Sequence, residues 1–131
     1  MTTIRDGERC PCRSGALLDD CCGPALDGTR PARTAEALMR SRYTAFTIGD
    51  AAHLLSTWHP DHRPSTLDPD PSITWRSLEI VDRAGGGLLD DHGEVEFVAR
   101  FRTPDGPGRL HERSRFVRQE GQWLYVDGDL R

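Results

Sequence analysis

Cys10, Cys12, Cys21 and Cys22 stand together in "CPCRSGALLDDCC", and they are the only cysteines in 131 residues. The spacing is C-x-C, eight residues, then C-C. Four thiolates arriving from two short arms are the donor set of a tetrahedral zinc site, with Zn–S bonds of about 2.3 Å. Pro11 stiffens the first arm. Ser14 and Gly15 allow a tight turn whose backbone N–H groups face the thiolates, and "SGALLDD" can supply a helical turn that delivers Cys21 and Cys22. Three readings compete with zinc. Disulfides are one, but adjacent cysteines bond only through a strained ring. A redox dithiol is another, although C-x-C with C-C is not the C-x-x-C of redox motifs. Four unrelated buried cysteines are the third. A metal with four protein ligands keeps no open position, so the expected cofactor is one structural Zn2+ per chain.

A second set of chemical residues comes from the alternation of positions 110 to 118. Leu110, Glu112, Ser114 and Phe116 fall on one face, and His111, Arg113, Arg115 and Val117 on the other. Leu110 and Phe116 mark the apolar side, which sends Glu112 inward. A buried carboxylate needs a partner or takes up a proton. Arg40, Arg42 and His59 are the candidate partners. Glu112, His59 and Tyr43 could then line a pocket for proton transfer or ligand recognition. The competing reading is an internal Glu112–Arg ion pair that fixes a helix against a sheet. His53, His62, His92 and His111 read as solvated surface groups. No phosphate loop, nucleophile elbow or zinc-protease helix is present.

Stepwise along the chain, the elements that must position these residues are two helices and then strands. Residues 1–30 read as a cysteine-bearing knuckle and linker, with "CCGPALDGTRPART" as turns, and residues 31–131 as one domain. Thr34 can cap a helix carrying Leu38, Met39, Arg42, Tyr43 and Phe46 on one side, stopped by Gly49. Asp50 can cap a second, with Ala51, Leu54, Leu55 and Trp58 in helical period and Pro60 as the stop. After a proline-rich loop the period falls to two. Strands are expected over 73–83, 94–102, 109–118 and "WLYVDG", joined by short turns into a meander. Helices followed by an antiparallel sheet make an α+β fold, with the sheet curled around the helices and a partly open apolar cavity.

Composition narrows the function. The net charge is −4, all 17 basic residues are arginine, and no apolar run is long enough to span a bilayer. Nucleic acid and anionic membranes are therefore disfavoured as partners. The N-terminal ten residues hold no secretory signal, which points to the cytoplasm and to reduced thiols.

Beyond these local signals, "CPCRSG" followed by "CCGP" resembles the SEC-C zinc motif, the metal knuckle also found at the C-terminus of the SecA translocation ATPase. "LMRSRYTAF", "TWHP", "FVARF", "ERSRF" and "GQWLYVDG", in that order, resemble the bacterial YchJ family from Cys10 to Gly128. The resemblance implies an SEC-C knuckle followed by a cone-shaped domain of the nuclear transport factor 2 type, with no established activity. Arg13 stands where such knuckles usually carry Gly, so a positive φ there would be strained. Many relatives carry a second knuckle after the cone, whereas this sequence ends at Arg131.

Three functional readings follow. The leading one is a non-enzymatic, zinc-stabilised adaptor whose knuckle docks a protein and whose cone dimerises or holds a small ligand. An enzyme using Glu112 or His59 as acid or base in the cone is the alternative. A nucleic-acid binder using Arg9, Arg13, Arg30 and Arg33 ranks last, because Asp6, Glu8, Asp19, Asp20 and Asp27 offset those charges.

Overall fold

A computed structural model describes residues 7–131, so Asp6 lies outside the described residues. The first cysteine arm is a small hairpin in which Arg9 bridges to Leu17 and the Cys10 N–H donates to the Ala16 carbonyl at 2.9 Å. A single 3-10 turn, Leu18–Asp20, follows. The segment expected to be all turns then holds a short helix, α1 (Gly23–Asp27), which has a proline in its first turn and is closed by Gly28 at φ 82°. Five residues are too few to show a helical period, which is why the sequence hides it.

Helix α2 (Ala35–Ile48) starts at Thr34, whose side chain accepts from the Ala37 N–H at 3.0 Å, and stops at Gly49 with φ 79°. Asp50 caps α3 (Ala51–Ser56) by accepting from the His53 N–H at 3.0 Å. This helix ends four residues before Pro60. Thr57 Oγ1 donates back to the His53 carbonyl at 2.7 Å, and Trp58 then bridges to Tyr125.

Four antiparallel strands complete the chain: β1 (Thr74–Gly85), β2 (His92–Thr103), β3 (Gly106–Gln119) and β4 (Gln122–Leu130), in the sheet order of the sequence. Glu120 and Gly121, both with positive φ, form the two-residue turn between β3 and β4. Bulges interrupt the register between Trp75 and Ser77, between Ile80 and Asp82, and between Arg115 and Phe116, and bulges bend and twist a strand. The sheet packs over α2, which meets β1, β2 and β4. Leu38, Met39 and Tyr43 of α2 bury against Leu78, Val95, Phe97, Ala99, Phe116 and Trp123. Burial of such a set is the main term holding helix to sheet.

The start of α2 is seated by two glycines. Ala35 donates its N–H to the Gly86 carbonyl at 2.9 Å, and a Cβ on Gly93 would come within 2.5 Å of Gly86 Cα. At the other side of α2, Cys10, Cys12 and Cys22 belong to the same buried cluster as the sheet residues. Residues on both sides of position 30 therefore share one core. Among the described residues no helix is long and apolar enough to cross a membrane.

Candidate metal centre

The two arms bring all four cysteine sulfurs within 4.8 Å of one another, with Cys12 and Cys21 3.5 Å apart and Cys21 and Cys22 4.0 Å apart. A tetrahedron with metal–sulfur bonds of about 2.3 Å has edges of about 3.8 Å, so the spacing fits one four-thiolate ion. All four are free cysteines. Cys10, Cys12 and Cys22 are buried and Cys21 is half-buried.

Neighbouring polar groups hold this quartet in place. Ser14 Oγ lies 3.0 Å from Cys21 Sγ, and Thr44 Oγ1, from the middle of α2, lies 3.6 Å from Cys10 Sγ. Arg40 donates to the Cys12 carbonyl at 2.8 Å and is itself held by Glu36 at 2.9 Å. Helix α2 thus serves as the back wall of the cysteine site. Arg13 takes φ 68°, the left-handed conformation expected to strain a non-glycine residue there. Its guanidinium meanwhile reaches β1 and donates to the Arg76 carbonyl at 2.5 Å, a contact glycine could not make.

The thiols alone cannot carry four negative charges in this space. Hydrogen bonds from Cys10 and Cys22 pull Cys12 far below the usual thiol range. Contacts with Cys10 and Cys12, together with burial, push Cys22 far above it. Burial first, then the neighbouring sulfur charges against a helping Ser14, pushes Cys21 up to about 11. Four thiolates this close require a cation among them, and soft sulfur donors select zinc-like metals.

The pocket residues proposed from sequence do not gather in the same way. Glu112 does face inward with Ser114 and Phe116, but its carboxylate accepts from Ser114 Oγ at 2.5 Å and from the Tyr125 hydroxyl at 3.4 Å. No arginine pairs with it among the described residues. Arg42 instead donates to the Leu54 carbonyl and to Thr57 Oγ1, both at 2.8 Å, and stacks over Tyr125 at 4.6 Å and Trp58 at 5.1 Å. Burial lowers its pKa to about 10, against the opposing pull of Tyr125 and Glu112. Arg42 and Glu112 thus meet through Tyr125, whose hydroxyl is pushed up to about 12 by burial first and then by the Glu112 charge.

His59 is placed elsewhere. Its Nε2 lies 3.2 Å from Gln119 Nε2, at the far end of β3. Gln119 is seven residues from Glu112, about 23 Å along an extended strand. Tyr43 lies at a third place, buried edge-on against Trp75 beside the first cysteine arm, and burial raises it to about 12. One of the four histidines expected at the surface is buried, and a second, partly exposed, is paired. His53 is buried with Nε2 2.9 Å from Ser41 Oγ, and His111 pairs with Glu96 at 2.8 Å. The four arginines named for nucleic acid are split as well. Arg9 and Arg13 line one concavity, and Arg30 and Arg33 line another beside Trp123.

Comparison with known proteins decides the family. A family description reading "YchJ, middle NTF2-like domain" matches residues 34–128. The chain belongs to the YchJ family. A UPF0225 protein of Streptomyces coelicolor is 52% identical over 121 residues, covering 92% of this chain and 94% of that protein. Another, from a Polaromonas species, is 51% identical over 135 residues and covers 95% of each. The solution structure of an SEC-C motif containing protein from Rhodopseudomonas palustris superposes with a TM-score of 0.81 at 37% identity, over 92% of this chain and 96% of that one. An SEC-C motif containing protein from Psychrobacter arcticus gives 0.73 at 33% identity, over 90% and 80%. The YchJ resemblance and the NTF2-like fold expected from the ordered motifs are thereby established.

Within this YchJ chain, sequence reasoning missed three supporting residues: Thr44 behind Cys10, Ser114 beside Glu112, and Tyr125 between Glu112 and Arg42. The inward alternation of β3 already pointed to Ser114. Thr44 and Tyr125 carry no such signal, because each meets its partner across elements.

Proposed function

We propose that this chain is a non-enzymatic binding module in which Cys10, Cys12, Cys21 and Cys22 hold one structural zinc ion. The observation that carries this reading is the convergence of the four sulfurs inside the shared core, against the back wall of α2. A bound zinc supplies charge neutralisation and four cross-links to a segment with too little apolar surface to order itself. The ordered knuckle then presents Pro11, Arg13 and the turn at Gly15 to a protein partner, while the cone anchors it. Both solved relatives are SEC-C motif containing proteins, which supports a metal role for these cysteines.

The enzymatic alternative draws no support from the cone. The Glu112 and His59 side chains have separate partners, and the partly buried Ser114–Glu112–Tyr125–Arg42 chain reads as a satisfied polar network tying α2 to β3 and β4.

The test uses a photo-crosslinking residue placed at Pro11. Capture of a discrete partner that vanishes in Cys21→Ser, while circular dichroism shows the sheet still folded, is the expected result. Equal capture by Cys21→Ser would refute a zinc-ordered docking knuckle.

A further inference from the structure

The net charge of −4 conceals an uneven surface. On the outward face of the sheet, the half nearest the β1–β2 turn is neutralised by carboxylates. Arg113 meets Asp82 at 2.8 Å, Glu94 at 2.6 Å and Glu96 at 3.2 Å, and Arg115 meets Asp127 at 2.5 Å and Asp129 at 2.8 Å. The half nearest the β2–β3 turn is different. Arg76, Arg100, Arg102 and Arg109, all exposed, line a shallow concavity of about 490 Å³ with Ser77 and Pro107. Among the described residues only Arg100 finds a carboxylate there, Glu79 at 3.1 Å. Asp105, in the β2–β3 turn, forms no ion pair among them.

Two features mark this cluster as more than scattered charge. Arg100 and Arg109 are register partners, so like charges stand directly opposite one another, an arrangement that costs stability in a sheet. Arg13, by bonding the Arg76 carbonyl, also extends the basic surface to the cysteine segment. Arg13 and Arg76 then line the neighbouring concavity, of about 590 Å³, with Arg9, Glu8 and the half-buried Trp75.

We propose that this basic end binds the phosphate backbone of a single-stranded nucleic acid. Guanidinium forks match phosphate oxygens with two bonds each. Arg109 on β3 stands opposite Arg100 on β2 at the strand spacing of about 4.8 Å, and Arg76 projects from the bulge beside Ser77, the β1 partner of Arg100. Phe101 in the same concavity offers an aromatic surface for a base. The concavity is shallow, and Phe101 and Pro107 complete its lining beside the arginine stems. An extended duplex would run onto the acidic half of the same face. The count of charges over the whole chain misses this surface because the acidic half outweighs it.

Fluorescence anisotropy of the full metal-loaded chain with a short labelled mixed-sequence RNA, its DNA counterpart and a polyglutamate peptide of equal charge tests the proposal. Binding of the RNA or DNA should weaken between about 50 and 200 mM salt with a log–log slope of about −2 to −3, the value for three or four phosphate contacts. The double variant Arg102→Glu/Arg109→Glu should lose about tenfold or more in affinity, and Arg102→Gln/Arg109→Gln should lose less. A charge-matched control, Arg30→Glu/Arg63→Glu, should retain binding. No oligonucleotide binding at low salt, equal loss in the control, or equally tight binding of polyglutamate would each overturn the proposal.

Discussion

Arg13 shows how a single residue is decided by two opposed effects. Its left-handed backbone costs about 1 kcal/mol relative to glycine, while its side chain fastens the cysteine segment to β1 through Arg76. Removing the side chain without relieving the backbone is the worst case. Arg13→Ala should therefore be less stable than Arg13→Gly by about 1 kcal/mol, with metal content unchanged in both, as measured by urea unfolding and metal analysis. Equal stability of the two variants would mean that the backbone strain is not real. The cysteines themselves were legible in the sequence, since four soft ligands in one window leave few alternatives. The partner of Glu112 was not. Its carboxylate occupies the space above Gly128, where a Cβ would come within 2.6 Å, and a register shift after Arg115 sets where Tyr125 stands. Neither fact can be read from β3 alone.

Elements were legible where side chains cap or stop them. Thr34, Gly49 and Asp50 do what their types predict. The seat of α2 was hidden, because it depends on the close approach of Gly86, just past the end of β1, and Gly93 in β2. Gly93→Ala should overpack this seat and destabilise the protein by about 1–3 kcal/mol, which thermal or urea unfolding will measure. His53, between α2 and α3, gives the helix pair a pH dependence. Burial first, with Arg42 adding to it and Asp50 opposing, holds its native pKa below 6.5. The unfolded chain then binds a proton that the native state refuses. The His53 contribution to stability is therefore complete above about pH 6.5 and falls as pH drops below it, down to the native pKa. An NMR titration should place the ring midpoint under 6.5. A midpoint above 6.5 would show that the ring is not held neutral by burial.

At the scale of the whole molecule, the cysteine segment is part of the core and not an appendage. Cys10, Cys12 and Cys22 lie in the same cluster as Phe97 and Phe116. The overall α+β meander was legible from the change of period after the proline-rich loop. The shared core was not, because a short cysteine-rich stretch carries no apolar pattern to announce which helix it covers. If one metal ion closes that core, its loss should loosen α2 as well as the knuckle. Hydrogen exchange after acid or chelator treatment should then show faster exchange at Leu38 to Thr47 than in the intact protein. The most direct test of the central claim is a native mass spectrum of protein purified without added metal. One zinc per chain, released only by acid or chelator and absent from Cys21→Ser, is the predicted result. A metal-free folded chain with four alkylatable thiols would contradict it.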